Sequence, residues 1–265
     1  MTTTTAFPLR RDLALTAWQV RYAQRAFWRN RRGAVLSIAF PLMFLIVFGS
    51  LNDGHIDTRG NLSFIDFYVP GIVAYGIILT CFNSTALAFA ALRSNGVLKR
   101  LRVTPLPWWV FLAGTVGSTL LVVTLSIAIM LAVGIVGFGA HLHTGTLPGF
   151  LITLVLGCAC FTTLGIGAAR LIARPENGMG LLVIITLPLM FVSNIFFPLD
   201  DAPGWLNDVA KVFPFRALAD GLQVAFDPRT HGSGIVGHDV LVLAIWTFVG
   251  ARIMLRFLQQ LTRRA

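Results

Sequence analysis

Residues 93–109 have the sequence RSNGVLKRLRVTPLPWW, and they decide how the rest of the chain is interpreted. The segment carries four basic side chains and no acid, followed by two prolines and two tryptophans. Prolines end helices, and tryptophans favour the membrane–water interface. Because an apolar stretch of more than 20 residues flanks it on each side, the segment predicts a short helix in a loop between two membrane spans.

The composition of the whole chain is typical of a membrane protein. Its 265 residues are 56% hydrophobic and 12% charged, and the mean hydropathy is +0.77. A soluble domain of this size carries about 25% charged residues. The net charge of +10 is explained without a nucleic-acid partner, because basic residues collect in the cytoplasmic loops of membrane proteins. We therefore expect no nucleic-acid binding.

Six apolar stretches are long enough to predict membrane spans. The predicted fold is therefore an all-α integral membrane protein with six transmembrane helices. We expect a cytoplasmic amphipathic leader at 1–33, a six-span domain at 34–258 and a cytoplasmic tail at 259–265. The predicted spans lie at 34–51, 67–92, 108–138, 148–172, 179–197 and 235–255.

Basic residues alternate between successive connecting segments. Seventeen of the twenty-one Lys and Arg residues fall in the N-terminal segment, the second and fourth loops and the C-terminal end. Of the eleven acidic residues, only Asp12 and Glu176 fall on this basic side. The positive-inside rule therefore predicts that both termini and the 93–109 segment are cytoplasmic.

The leader predicts a basic amphipathic helix, with apolar side chains on one face and arginines at helical spacing on another. Such a helix directly before a span lies in the membrane interface, with its apolar face towards lipid. The alternative is a solvated cytoplasmic helix, which would leave the apolar face without cover. The residues that define the interfacial helix are Leu13, Val20, Arg21, Arg25, Phe27 and Arg29.

The loop between the fifth and sixth predicted spans also carries apolar residues at helical spacing. Trp205, Val209 and Val212 come first, and Leu218 and Leu222 follow. A disordered linker would lack such residues. We therefore expect short helices packed at the outer mouth of the bundle.

The sequence contains no motif for ATP hydrolysis or catalysis. The two lysines, Lys99 and Lys211, lack the glycine-rich turn and the following Ser or Thr of a P-loop. Neither a zinc helix nor a nucleophile elbow occurs. His141 and His143 have no further ligand in their neighbourhood, which is too few for a metal site. We expect a protein that is not an enzyme and that binds no metal and no cofactor itself.

Mildly polar residues interrupt the second and fifth predicted spans. An amide in hydrocarbon needs a partner, so these faces point to neighbouring helices or to a cavity. Two interpretations remain open, namely hydrogen bonds between helices and contact with a substrate along an apolar path. The candidate residues for such a path are Phe82, Asn83, Thr85, Phe89, Phe191 and Asn194.

The order of these features resembles the permease subunit of type-2 ATP-binding-cassette (ABC) exporters, the family of drug-resistance and nodulation-factor permeases. The run RSNGVLKRLRVTPL at 93–106 is similar to a run that follows the second span in that family, and FYVPGIVAYGI at 67–77 is similar to the start of that span. The segment 173–223 resembles the family's fourth loop, fifth span and outer re-entrant helices. The similarity covers most of the chain in order.

The resemblance implies a set of partners. Two six-span subunits pair, as a homodimer or with a similar chain, and each binds a separate ATPase subunit that holds ATP and Mg. The pair would move a drug-like or lipid-like amphipathic substrate out across the cytoplasmic membrane of a bacterium, as in multidrug efflux and antibiotic resistance, while the leader contacts membrane lipid.

The resemblance implies that the segment from Arg93 to Pro105 is the coupling helix, which contacts the ATPase. The family often carries acids just before the glycine of this loop, whereas Ser94 and Asn95 stand there in this chain. Glu176 in the next cytoplasmic loop is the candidate for the missing carboxylate. The residues implied to contact the ATPase are Arg93, Gly96, Val97, Leu98, Lys99, Arg100, Leu101, Arg102, Pro105 and Glu176.

Other classes of function remain open from the residues alone. A secondary, ion-coupled carrier usually holds ionisable groups within its spans, and the predicted spans have none at their centres. Backbone carbonyls can also bind ions, so this class is not excluded. A non-transporting membrane scaffold or sensor is the third interpretation, and a membrane enzyme is the weakest because no nucleophile–base pair is present.

Overall fold

The computed structural model describes residues 9–29, 31–51, 55–56, 62–97, 100, 108–198, 203–230 and 232–263. Helices dominate these residues, which confirms the predicted all-helical class, and two short strands pair antiparallel with His55 opposite Ser63. The elements are α1 (Leu9–Arg29), α2 (Arg31–Leu51), β1 (His55–Ile56), β2 (Leu62–Ser63), α3 (Phe64–Ile77), a π-helical segment (Ile78–Ser84), α4 (Thr85–Ser94), α5 (Trp108–Ala132), a π-helical turn (Val133–Gly137), a 3-10 turn (Thr144–Thr146), α6 (Leu147–Ala168), α7 (Pro175–Phe191), α8 (Gly204–Val212), α9 (Pro214–Gln223) and α10 (Gly237–Arg263).

Four helical stretches of the described chain are long and apolar enough to cross a membrane. They agree with the second, third, fourth and sixth predicted spans to within four residues at each end. At the first and fifth predicted spans the apolar helices are shorter, covering Ser37–Leu51 and Pro175–Phe191. The four long stretches are Phe64–Ser94, Trp109–Gly137, Thr144–Ala168 and Gly237–Phe257.

The helix α7 ends at Phe191, six residues before the predicted end of the fifth span at 197. Pro188 cannot donate a backbone hydrogen bond. After Phe191 the backbone is wound more tightly than an α-helix, because the Ser193 amide donates to the carbonyl of Met190, three residues earlier, at 3.2 Å. Asn194 has a φ of 60°, a left-handed conformation that asparagine tolerates better than most residues. The residues after Phe191 therefore form a turn in place of a last helical turn.

The helix α6 is central to the bundle, because it packs against α10, α9, α4 and the π-helical segment. Small residues allow these close approaches. Gly157 lies against Leu218 of α9. A Cβ placed on Gly165 would lie 2.7 Å and 2.8 Å from the backbone oxygens of Phe82 and Cys81, so α6 meets the π-helical segment backbone to backbone.

The two short helices expected between the fifth and sixth spans are present as α8 and α9, and they form a hairpin. Nine of the ten residues of α9 are buried, and α9 runs antiparallel to α6. The Phe215 ring lies 5.0 Å from the Phe161 ring, Leu218 meets Gly157, and Gly221 meets Thr153.

The turn of this hairpin lies deep in the bundle. Phe161 is fourteen residues into α6, or about 21 Å from its start at 1.5 Å per residue. On the other side, the Trp246 indole donates to the Val212 carbonyl at 2.8 Å, and Trp246 is nine residues into α10. The hairpin therefore inserts beside the middle of two long apolar helices and does not cap their ends.

Candidate functional site

The segment predicted to couple to an ATPase begins directly after α4. The Asn95 amide donates to the Ala91 carbonyl at 3.0 Å, and Gly96 follows with a φ of 68°. Glycine adopts this left-handed conformation without a steric penalty. The Arg100 amide then donates back to the Gly96 carbonyl at 3.1 Å. The predicted coupling residues Leu98, Lys99, Leu101, Arg102 and Pro105 lie outside the described residues.

Arg93 ties the end of α4 to the loop between α6 and α7. Its guanidinium donates to the Arg170 carbonyl at 3.4 Å and also to the Ile172 carbonyl. Ile172 in turn packs on Gly178 in α7. Arg93 thereby joins the start of the coupling segment to the first turns of α7, where Glu176 lies exposed.

A groove of about 350 Å³ lies beside this junction. Its lining comes from the loop after α6 and from the first two turns of α7, and it includes the exposed Arg174. The groove, Arg93 and Glu176 are therefore at the same end of the bundle. The opposite end, where α3 and α10 begin and α9 ends, is called the distal end below.

The leader forms the predicted helix, α1, and one side of it packs on α5. The Gln24 side chain donates to the Ser118 carbonyl at 2.8 Å, and Val20 lies against Gly117. Other apolar side chains stay exposed, with Leu13 at 67% and Trp18 at 72%. The predicted apolar face is thus divided between α5 and the surface. Phe27, the last predicted member of the apolar face, is half-buried, and the arginines of the other face, Arg21, Arg25 and Arg29, are exposed.

The six residues of the candidate substrate path do not form one surface in a single copy of the chain. Phe82, Asn83, Thr85 and Phe89 all belong to the π-helical segment and α4, and each is less than 10% exposed. Phe191 is 48% exposed at the end of α7. Asn194 is fully buried in the polar cluster at the distal end that is described below.

A row of aromatic rings, not predicted from the sequence, connects α2 and α3 with the end of α7. Phe44 lies 6.0 Å from Tyr75 and 6.1 Å from Phe196, measured between ring centroids. Phe196 continues the row to Phe191 at 5.6 Å, and Phe191 stacks on Phe197 at 6.2 Å. The sequence contains a signal for part of this row, because Phe40, Phe44 and Phe48 are spaced by four and therefore lie on one face of a helix.

A buried polar cluster holds α7, α8 and α9 together at the distal end. The Asn194 side chain donates to the Asp220 carboxylate at 2.7 Å, and Gln223 donates to the Asn194 carbonyl at 2.8 Å. Arg216 donates to the same carboxylate at 3.1 Å and to the Asn207 side chain at 2.7 Å. Only Asn194 of this set was a candidate from the sequence. We call these five residues the distal link.

A cavity of about 480 Å³ adjoins the distal link. Four carboxylates line it, together with one lysine and one histidine. Among the described residues, no group of three or more His, Cys, Asp and Glu side chains has a metal-binding arrangement. The charged lining residues are Asp66, Asp220, Asp227, Asp239, Lys211 and His238.

A helical bundle with four stretches that can cross a membrane defines a multi-pass membrane protein. Residues 15–226 match the family model described as ABC-2 type transporter. Because this match covers more than half of the chain, the chain belongs to the ABC-2 type transporter family. The resemblance to type-2 ABC permeases seen in the sequence is confirmed.

Several permeases are similar to this chain. The daunorubicin resistance ABC transporter permease protein DrrB1 of Streptomyces coeruleorubidus is 29% identical over 190 residues, which cover 69% of this chain and 64% of that protein. The probable multidrug ABC transporter permease YbhR of Escherichia coli strain K12 is 26% identical over 160 residues, 60% of this chain and 43% of YbhR. The chain therefore spans less than two thirds of the length of these two relatives.

A third relative is matched over most of its length. The inner membrane transport permease YadH of Escherichia coli strain K12 is 22% identical over 207 residues, which cover 78% of this chain and 80% of YadH. Members of the family are transmembrane subunits whose ATP is hydrolysed by a separate ATP-binding subunit. The expectation that the chain is not itself an ATPase is therefore confirmed.

Proposed function

We propose that this chain is the transmembrane permease subunit of an ATP-driven ABC exporter in the cytoplasmic membrane of a bacterium. The observation that carries the proposal is the family match over 15–226, which includes the complete 93–109 segment. The internal anchor of that segment supports it, because Arg93 fixes the start of the loop to two backbone carbonyls. A loop whose start is fixed by hydrogen bonds can transmit a movement of a bound partner.

We propose six spans with both termini in the cytoplasm. The apolar helices Ser37–Leu51 and Pro175–Phe191 would supply the two spans beyond the four long ones. Snorkelling side chains and local thinning of the bilayer let a short apolar helix cross a membrane at modest cost. The distribution of arginine and lysine supports this orientation, with the groove beside α7 on the cytoplasmic side.

The ATPase partner would bind at the 93–105 segment and at the adjacent groove. Val97 would bury its side chain in the partner together with Leu98 and Leu101. Lys99, Arg100 and Arg102 would align the partner through acids or lipid phosphates at the rim. Glu176 would add a carboxylate beside the groove, and the partner would hold the ATP and Mg.

A substitution in this segment tests the docking assignment. We expect Leu101→Asp to insert into the membrane but to lose the ATPase, because a carboxylate in an apolar contact pays the full cost of desolvation. The measurement is recovery of the ATPase with the affinity-tagged chain from membranes. Val136→Asp is the matched control, because Val136 is 86% exposed and lies in the π-helical turn at the far end of α5 from this segment. Normal transport by the Leu101→Asp variant would disprove the docking site.

A second permease copy, identical or similar, would cover the exposed side of α7. Only Gly178, Leu182, Thr186 and Met190 of α7 are buried, a narrow stripe with a spacing of four. The other apolar side chains are exposed, with Ile184 at 72% and Leu187 at 50%. The aromatic row lies next to this surface and would line the contact between the two copies.

The substrate we propose is a drug-like or lipid-like amphipathic molecule. The aromatic row supplies apolar surface, and the names of two relatives refer to daunorubicin resistance and to multidrug transport. Phe191 belongs to this row, whereas the other path candidates lie inside the subunit. The exposed aromatic side chains of α1, Trp18 and Trp28, would rest in membrane lipid.

The proposal is tested by a pull-down from native membranes in mild detergent, with a tag at the C-terminus and mass spectrometry as the readout. We expect a P-loop ATPase at stoichiometric yield. Recovery of the chain alone, with nothing added by crosslinking before lysis, would refute the exporter assignment.

A secondary carrier is the alternative that a structural observation favours. The Arg216–Asp220 ion pair lies in α9, between the hairpin turn and the distal end, where the sequence alone placed no charge. Transport by the purified chain in liposomes under a proton or sodium gradient, without ATPase, would support this alternative. We expect no such transport, because both charges are already satisfied by protein partners.

A further inference from the structure

The helix α7 connects the two functional ends of the bundle. Its first turns meet the Arg93 junction through the contact between Gly178 and Ile172. Its last turn leads into Asn194, whose side chain belongs to the distal link. Along its length the described contacts of α7 with the bundle lie on one side, in the stripe of four buried residues and the partly buried Leu189. A helix packed on one side can shift along its axis more easily than one packed on all sides.

The distal link joins the end of α7 to both helices of the hairpin. Asp220 of α9 accepts hydrogen bonds from Asn194 at 2.7 Å and from Arg216 at 3.1 Å. Arg216 then reaches α8, where it donates to the Asn207 side chain at 2.7 Å and to the Asn207 carbonyl at 3.2 Å. The backbone carbonyl of Ile195 packs directly on Gly71 of α3. A displacement of Asn194 would therefore move the hairpin against α3.

The polar groups of the distal link cost free energy that apolar side chains packed in their place would not. Arg216 is 8% exposed, whereas the Asp220 side chain is 25% exposed beside the distal cavity, and a buried charge of this kind often contributes no more stability than apolar side chains of similar volume. Asn194 is fully buried and has a φ of 60°, a conformation that costs about 1 kcal/mol or more in a residue other than glycine. Strained and buried polar residues of this kind concentrate where a structure must switch.

We propose that Asn194, Asp220 and Arg216 are positioning residues that make the α8–α9 hairpin follow α7 when the transporter responds to ATP. The inference rests on the proposed function, because the ATPase supplies the movement at the Arg93 end of α7. The hairpin borders the distal cavity, with Asp220 and Gln223 in its lining. Movement of the hairpin therefore changes the opening through which a substrate would leave.

Hydrogen–deuterium exchange of the complete complex in nanodiscs tests the proposal. The co-purified permease and ATPase are compared without nucleotide and after trapping with ATP and vanadate. Two peptides are followed, one containing Arg93 to Val97 and one containing α8. In the parent complex we expect trapping to change exchange in both peptides by several-fold.

The decisive variant is Asn194→Gly. Glycine keeps the left-handed turn and the backbone carbonyl that accepts from Gln223, but it removes the amide that binds Asp220. We expect the response of the Arg93 peptide to remain and the response of α8 to fall by at least half. The control Asp208→Asn changes an 80% exposed side chain of the same hairpin whose ion pair, among the described residues, is with Lys211, and it should respond like the parent.

A double variant separates the link from folding. Arg216→Met with Asp220→Leu replaces the ion pair by apolar side chains, which keeps the hairpin packed, and should lose the α8 response as Asn194→Gly does. The proposal is overturned if trapping changes the exchange of the α8 peptide as much in Asn194→Gly as in the parent. It is also overturned if, in the parent complex, the Arg93 peptide responds to trapping and the α8 peptide does not. If no ATPase co-purifies, the proposed function fails, and the inference fails with it.

Discussion

At Gly165 the absence of a side chain allows close backbone contact between α6 and the π-helical segment. The Gly165 Cα faces the backbone oxygens of Cys81 and Phe82 in the π-helical segment. A π-helical segment widens the helix locally, and such segments are frequent at functional sites. The close approach at Gly165 holds that widened segment, together with the buried Asn83, against α6.

We predict that Gly165→Ala destabilises the protein. The added methyl group would lie 2.7 Å from a backbone oxygen, and overpacking of this kind costs about 1–3 kcal/mol. The melting temperature of the purified chain in mild detergent should fall by several degrees. Gly180→Ala is the control, since outside its own helical backbone no described atom lies within 4 Å of a Cβ at that position, and alanine there should be neutral or stabilising. Equal melting temperatures for the two variants would contradict the prediction.

We also predict that Arg93→Ala weakens coupling to the ATPase. The variant loses the hydrogen bonds from Arg93 to the loop after α6, and a charge-assisted hydrogen bond contributes about 1.5–3 kcal/mol. ATP hydrolysis by the reconstituted complex should therefore fall several-fold. Arg170→Ala serves as the control, because Arg93 binds only the backbone carbonyl of Arg170. An equal loss in both variants would show that the Arg93 contact is not the cause.

At the scale of elements, α1 is held by a helix that is far away in the sequence. Two glycines of α5, Gly114 and Gly117, leave room for Gln19 and Val20. The amphipathic pattern of α1 was visible in the sequence, but the pattern describes only a helix with an apolar side. It does not distinguish lipid from α5 as the surface that covers that side.

We predict that Gly114→Val displaces α1 from α5. The valine side chain would collide with Gln19, including its Cβ at 2.6 Å from the new Cβ. Trypsin should then cut at Arg21 and Arg25 several-fold faster in inside-out membrane vesicles, as followed by mass spectrometry of the peptides. Leu121→Val is the control, because Leu121 is 56% exposed on α5. Unchanged cleavage would mean that α1 does not depend on this contact.

At the scale of the whole molecule, a single copy of the chain exposes a continuous apolar surface on α7. The exposed apolar side chains of α7 continue through Phe191 into the aromatic row. A lipid-facing helix can also expose apolar side chains, so exposure alone does not identify the partner. The neighbouring aromatic rings and the α7 stripe together favour a second permease subunit at this surface.

We predict that two copies crosslink through Ile184→Cys in α7. This position is 72% exposed and would lie near its equivalent across a two-fold axis. Treatment of membranes with a short bifunctional maleimide should give a band of twice the chain's mass. Ile245→Cys on α10, which is 52% exposed, should not crosslink. A dimer band from Ile245→Cys alone would place the interface on α10, and a band that contains a different chain would indicate a heterodimer.

Local patterns in the sequence determined the membrane class, the helical fold, the positions of four long spans and the loop that begins at Arg93. Hydrophobic length and charge asymmetry act along the chain, so neighbouring residues suffice to show them. The family resemblance likewise rested on short ordered runs of residues.

Only the tertiary structure decided which residues meet across the bundle. The contact of Arg93 with Ile172 joins residues 79 apart in the sequence, and that of Asn194 with Asp220 joins residues 26 apart. The depth of the hairpin, the distal link and the aromatic row all depend on such pairs. A one-dimensional pattern shows that a polar residue needs a partner, but the packing of helices determines which partner it finds.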